Sequence, residues 1–108
     1  MARQVAWTEV AWADLESAAD YIARESPSYA AAFVREVRGA ARSLADLAER
    51  GRIVPELEDA SIRELFVRNY RLIYQIAGQR VHIIGFIYGA RDLWALWQRE
   101  ERSGSGDA

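Results

Sequence analysis

Three short apolar runs, 62–67, 70–76 and 81–88, stand close together in the C-terminal half of this chain. Each is rich in Ile, Val, Tyr or Phe, and turn residues bound each one. Such runs with two-residue periodicity predict strands, and short connections force neighbouring strands antiparallel. Arg68-Asn69 suits a tight hairpin, since Asn tolerates a positive φ, and Gly78-Gln79 suits a two-residue turn with Gly first. These turns place Val67 opposite Tyr70 and Ala77 opposite Arg80. Strict alternation then sorts the side chains onto two faces. The first holds Arg63, Leu65, Val67, Tyr70, Leu72, Tyr74, Ile76, Val81, Ile83, Gly85 and Ile87. The second holds Ile62, Glu64, Phe66, Arg71, Ile73, Gln75, His82, Ile84, Phe86 and Tyr88.

The first face is nearly all apolar and is expected to lie on a helical layer. The second mixes Glu64, Arg71, Gln75, His82 and Tyr88 with aromatics, so something should cover it. Each polar residue has a plain structural reading beside a functional one. Glu64 and Arg71 lie diagonally across the hairpin and can form a cross-strand ion pair. His82 is the only histidine, and a lone strand histidine is more often solvated or hydrogen-bonded than chemically active. Arg63, opposite Tyr74, suits a cation–π pair. Arg91 sits just beyond the last run, where a side chain can leave the sheet, pair with Asp92 or cap a helix.

The N-terminal half reads as one strand and two helices. Residues 3–8 alternate weakly, and Thr8 suits a helix N-cap. Ala11, Leu15, Ala18 and Ile22 form one helical stripe within 11–25. Ser26-Pro27 ends that helix and opens another, with Ser as N-cap and Pro in the first turn. The second helix is expected to reach about residue 49 along a seam of Phe33, Val37, Ala40, Leu44 and Leu47. Gly39 is read as a point of close helix packing and Gly51 as a stop. Residues 52–61, with Pro55, Glu56, Glu58 and Asp59, read as a loop. Residues 93–101 read as a short helix carrying Trp94 and Trp97, and Trp-rich surfaces often form binding hot spots. The expected class is α+β, in the order β-α-α-β-β-β, as one domain over 1–102 with a disordered tail at 103–108.

The net charge of −2 conceals an asymmetry. Residues 1–49 carry five arginines against eight acids, whereas 50–91 carry seven arginines against four. The sheet half is therefore cationic and suited to an anionic partner. All 14 basic residues are arginine, so lysine chemistry is excluded and every cation is a fixed fork for carboxylate or phosphate. With no cysteine, disulfides and thiolate metal sites are excluded. No apolar run approaches a membrane span, and no secretory h-region is visible. A cytoplasmic protein with no cofactor, no metal and no membrane partner is expected. Phosphate loops, nucleophile elbows and dinucleotide fingerprints are absent. RNA cleavage needs a base, an acid and cations for the phosphorane charge, roles that Glu64, Arg71, His82, Tyr88 and Arg91 could fill.

Several motifs in sequence bring a family into view. They are A-x-x-D-L (Ala11 to Leu15), S-P-x-x-A (Ser26 to Ala30), G-R-x-V-P-E (Gly51 to Glu56), I-R-E-L (Ile62 to Leu65), N-Y-R-L-I-Y (Asn69 to Tyr74) and Y-G-A-R (Tyr88 to Arg91). Over residues 3–92 the chain resembles the ParE branch of the RelE/ParE toxin superfamily. That resemblance implies the toxin of a type II toxin–antitoxin module, of the kind used in plasmid stabilisation. It implies a cognate antitoxin, a toxin–antitoxin heterotetramer or larger assembly, and DNA gyrase as the target. In the RelE branch it implies instead a ribosome-dependent mRNA endoribonuclease. A third reading is an inactive homologue serving antitoxin binding and operon autoregulation. Lack of lysine and the mid-strand position of His82 favour the ParE branch. Residues expected to contact target or antitoxin are Arg52, Arg63, Arg71, Tyr74, Arg91, Trp94 and Trp97.

Overall fold

A computed structural model describes residues 2–89 of the chain. Strand β1 (Gln4–Trp7) leads into helix α1 (Glu9–Ala23) and helix α2 (Pro27–Ser43). A 3-10 turn at Ala48–Arg50 precedes β2 (Arg52–Ile53), β3 (Ile62–Val67), β4 (Tyr70–Ala77) and β5 (Arg80–Tyr88). The sheet has five strands in the order β1-β5-β4-β3-β2. The fold is α+β, with both helices on one sheet face. The expected meander forms, but the sheet is mixed: β1 runs parallel to β5, and β2 adds a short antiparallel edge to β3. Both helices and strands β2–β4 lie between β1 and β5 in the chain, more than the long connection that a parallel pair requires. The helix expected at 93–101 and the tail at 103–108 lie outside the described residues.

Local chemistry explains the helix starts. The Thr8 hydroxyl accepts from the Ala11 amide at 3.1 Å, and the Ser26 hydroxyl accepts from the Tyr29 amide at 3.2 Å. Each cap satisfies one orphan amide and is worth roughly 1 kcal/mol. On α1, Ala11, Leu15 and Ala18 are buried, and Ile22 packs beside them. On α2 the buried residues are Ala30, Phe33, Val37 and Ala41. Phe33 touches Tyr70 and Phe86, at centroid distances of 5.3 and 5.9 Å.

Helix α2 ends at Ser43, earlier than its apolar spacing suggests. The Ser43 hydroxyl donates to the Ala40 carbonyl at 2.6 Å, and Arg50 donates to Ser43 at 2.7 Å. The chain turns tightly there, buries Leu44 and leaves Leu47 exposed. Ala45 then accepts from the Arg3 amide at 2.8 Å, tying the end of α2 to the start of β1. Gly39 marks no close packing: a Cβ there would meet nothing within 4 Å. Gly51 is different, since a Cβ would fall 2.5 Å from the Tyr74 hydroxyl and 2.6 Å from the Glu64 carbonyl.

Both hairpin registers match the turn chemistry, with Val67 opposite Tyr70 and Ala77 opposite Arg80. In the first turn, however, Arg68 takes the positive φ, at 54°. Its guanidinium donates to Glu36 at 2.9 Å and to the Tyr29 hydroxyl at 2.6 Å, fastening the turn to α2. The two-face partition fails in the second half of β5. Ile73 pairs with Gly85 while Tyr74 pairs with Ile83, so one residue of β5 is extra. A bulge of this kind reverses the facing of every side chain beyond it. Phe86 and Tyr88 therefore join the helical face, where Phe86 stacks on Tyr70 at 4.9 Å and Tyr88 meets Tyr70 edge-on at 5.8 Å. Ile87 turns to the second face.

The bulge has a polar anchor. Asp14 of α1 accepts from the Phe86 amide at 3.2 Å. A bulge disrupts the ladder locally, and a buried amide left unpaired is costly. This contact gives the aspartate of the A-x-x-D-L motif a structural role.

The second sheet face carries its own cover. Val54, Ile62 and Ile73 form a small buried cluster, flanked by Leu57, Ile84 and Ile87. The strap over residues 54–61 supplies Val54 and Leu57, so part of the mixed face is closed by the loop.

Candidate functional site

The mixed face is organised by four charged side chains. Glu64 is 1% exposed and Arg71 is 4% exposed, both in mid-strand. Arg71 Nε donates to Glu64 Oε1 at 2.5 Å. Arg52 Nε donates to the other Glu64 oxygen at 2.6 Å. The remaining edge of Arg71 forks onto Glu56, with Nη1 to Oε2 at 2.8 Å and Nη2 to Oε1 at 2.9 Å. The result is a chain of alternating charge, Arg52–Glu64–Arg71–Glu56, running from β2 through β3 and β4 to the strap.

Strand geometry builds this chain. Arg52 is opposite Glu64 in the β2–β3 ladder, and Arg71 is opposite Phe66, two positions from Glu64 on the same face. Diagonal neighbours of that kind lie within reach of long side chains. Buried charges demand such pairing, because an uncompensated one is strongly destabilising. The Arg71 forks hold the Glu56 carboxyl below its ordinary value, partly offset by burial. Glu56, then Glu64, push the Arg71 guanidinium further up, against burial. Glu56 belongs to the acidic loop, whose purpose no local pattern indicates. The G-R-x-V-P-E motif was the available signal, since it contains both Arg52 and Glu56. Asp59 has a local role: it accepts from the Ser61 amide and hydroxyl at 2.9 and 2.7 Å, which lowers its own pKa.

The other expected site residues are scattered. His82 pairs in register with Gln75 and, across β1, with Ala6. Gln75 is four positions along β4 from Arg71, about 13 Å at strand spacing. Tyr88 lies on the opposite sheet face because of the bulge. Glu64, Arg71, His82 and Tyr88 thus do not converge. Among the described residues, no group of three or more His, Asp or Glu side chains could hold a metal ion.

Two residues expected at a contact surface make internal hydrogen bonds. Tyr74 is fully buried. Its hydroxyl donates to the Ala48 carbonyl at 2.7 Å and accepts from the Gly51 amide at 3.0 Å. Burial raises its pKa. Arg63 is opposite Tyr74, but its Nη1 donates to the carbonyls of Gly51 at 2.9 Å and Glu49 at 3.4 Å. Both side chains clamp the 3-10 turn and β2 onto the sheet. Arg52 keeps an exposed portion and lies 5.1 Å from the centre of the exposed Phe66 ring. Arg91, Trp94 and Trp97 lie outside the described residues.

A helical pair on a β1-β5-β4-β3-β2 sheet, with an internally paired charge chain on the opposite face, defines a small α+β scaffold. The profile of the family described as ParE toxin of type II toxin–antitoxin system, parDE, matches residues 5–93. The chain belongs to this toxin family. It is 42% identical over 89 residues to Toxin RelE2 of Caulobacter vibrioides, covering 82% of this chain and 97% of that one. Two solved structures share the fold. One is a chain of the chromosomal ParDE toxin–antitoxin system from P. aeruginosa, with TM-score 0.67 and 22% identity over 80% of this chain and 95% of that one. The other is from the RelBE2 toxin–antitoxin complex of Mycobacterium tuberculosis, with TM-score 0.55 and 24% identity over 82% and 99%. Among the described residues, no helix is long and apolar enough to cross a membrane.

Proposed function

We propose that this toxin acts by binding DNA gyrase rather than by cutting RNA, and that a cognate antitoxin neutralises it. The observation that carries this reading is the state of the charged pair on the mixed face. A general base must reach a substrate proton, and transition-state cations must reach the phosphoryl oxygens. Glu64 is sealed beneath two arginines, and Arg71 spends its donors on Glu64 and Glu56. His82 and Tyr88 lie away from them. Among the described residues, these groups are built to stabilise the sheet and strap. The family match supports the ParE branch, and membership of a type II system supports an antitoxin partner. The structural neighbours include a chain from a toxin–antitoxin complex, in line with that partner.

The name of the Caulobacter relative points to the RelE branch, so ribosome-dependent mRNA cleavage is the reading to test against. Induction of the chain in cells, followed by assays for gyrase–DNA cleavage complexes and an SOS response, separates the two. Cleavage complexes with translation continuing are expected. Prompt translation arrest with normal DNA synthesis overturns the gyrase reading.

A further inference from the structure

Arg52, Arg68 and Arg71 are in ion pairs, and Arg63 is held by carbonyls. Arg35, Arg38 and Arg42 of α2 are exposed and form no ion pair among the described residues. Their i, i+3, i+7 spacing sets them along one helical stripe, about 10 Å from first to last. Buried Ala30, Phe33, Val37 and Ala41 lie on the other side of the same helix. Glu36, the acid beside the stripe in sequence, is taken by Arg68 of the β3–β4 turn at 2.9 Å.

Gly39 completes the pattern. It takes the i+4 place of the stripe, between Arg38 and Arg42, and a Cβ there would meet nothing within 4 Å. A glycine inside a helix is less favourable than alanine, and no close contact within the fold compensates for this one. Its effect is a gap in the side-chain layer amid three guanidinium groups, where the backbone of another molecule can come close to the helix. Arg38 is partly held in place, since its guanidinium lies 5.8 Å from the centre of the exposed Trp12 ring of α1. Each guanidinium is a permanent cation whose fork matches phosphate oxygens.

We propose that this stripe, Arg35, Arg38 and Arg42 around Gly39, binds the phosphate backbone of duplex DNA. The choice of DNA among polyanions rests on the reading that the toxin acts on gyrase, whose cleavage complexes contain it. The contact is independent of sequence, since guanidinium–phosphate pairs position a protein without reading bases. It is also local. Charges are screened beyond about 8 Å at physiological salt, so more distant acids of this chain, which has a net charge of −2, weigh little on the stripe. An acidic peptide is a poorer occupant. Its flexible carboxylates must be ordered on binding, whereas duplex phosphates already stand at regular intervals.

The test uses the full chain and a fluorescent duplex oligonucleotide, with anisotropy read across a salt series from about 50 to 200 mM. Three phosphate contacts release counterions, so log K is expected to fall against log salt with a slope of about −2.7. In the variant Arg35→Gln/Arg38→Gln/Arg42→Gln, low-salt binding is expected to weaken at least about 10-fold and the slope to flatten toward zero. Gly39→Gln keeps every arginine and adds a better helix former, so it should melt no lower than the wild type yet bind the duplex more weakly. Circular dichroism is expected to match the wild type in both variants, since all four positions lie on the outer side of α2. A wild-type chain that does not bind the duplex, or variants that bind it as the wild type does, overturn the proposal. Polyglutamate that binds as tightly as the duplex also overturns it and assigns the stripe to an acidic protein. The gyrase reading stands or falls separately, on cleavage complexes in induced cells, because the duplex is measured with the chain alone.

Discussion

Glu64 on β3 and Arg71 on β4 sit seven residues apart in the chain and join at 2.5 Å, almost fully shielded from water. Each is also held by a residue from outside the hairpin, Arg52 for the carboxylate and Glu56 for the guanidinium. The pair is thereby a junction between the meander, the edge strand β2 and the strap over residues 54–61. Removing one partner leaves uncompensated buried charge. Glu64→Gln is expected to cost about 3 kcal/mol, read as a lower urea midpoint with an unchanged slope. A variant as stable as the wild type contradicts the junction role.

Glu56 links this junction to acid stability. Its folded pKa lies below the ordinary 4.5 because of Arg71. A carboxylate depressed on folding stabilises the protein above its unfolded pKa, and that contribution is lost as pH falls through the folded value. The wild type should melt above Glu56→Gln at neutral pH, and the gap should close as pH falls below about 4.5. Melting curves from pH 7 to pH 3 give the comparison, and a gap that persists at pH 3 rules out this linkage.

Tyr74 tests the clamp on the 3-10 turn. Tyr74→Phe keeps the ring but strands the Ala48 carbonyl and the Gly51 amide, both now bonded to the hydroxyl. Loss of that buried pair of bonds is expected to cost about 2 kcal/mol. Chemical denaturation measures it, and amide exchange at Gly51 should rise with it.

Gly39 tests helix packing with the opposite sign. Its surroundings are open, and Gly inside a helix is less favourable than Ala by about 0.5–1 kcal/mol. Gly39→Ala should therefore raise the melting temperature. A decrease would indicate a contact at this position that the fold does not contain.

His82 separates chemistry from architecture. It is half-buried, removed from Glu64 and Arg71, and opposite Gln75. His82→Ala should retain growth inhibition when expression levels are matched. Loss of toxicity in a folded variant that still binds antitoxin would favour a catalytic role and the nuclease reading.

Much of the architecture was legible because its causes are local. Thr8 and Ser26-Pro27 mark helix starts through side chains that reach amides three residues away. Both hairpin registers follow from their turns. The Glu64–Arg71 pair was readable as a diagonal neighbour, since a hairpin makes sequence separation a direct measure of position. The site was less legible. Glu56 is 15 residues from Arg71, and only the path of the strap brings them together. Tyr74 looks like an interfacial tyrosine until the 3-10 turn folds over it.

Periodicity, turn chemistry and motif order made the first strand, the two helices, the three-stranded meander, its hairpin pairings and the family readable along the chain, while the short strand β2 was not. Tertiary structure alone decided three matters. The bulge in β5 sent Tyr88 to the helical face, because one extra residue reverses alternation and the Phe86 amide finds Asp14 across the layer. The parallel docking of β1 on β5 placed it at the end of the sheet among the described residues. The third matter is which arginines are occupied: Arg52, Arg63, Arg68 and Arg71 meet carboxylates or carbonyls, whereas Arg35, Arg38 and Arg42 on α2 form no ion pair among the described residues. Charge counted along a chain measures supply, but availability depends on which long-range partners the fold brings within hydrogen-bonding reach.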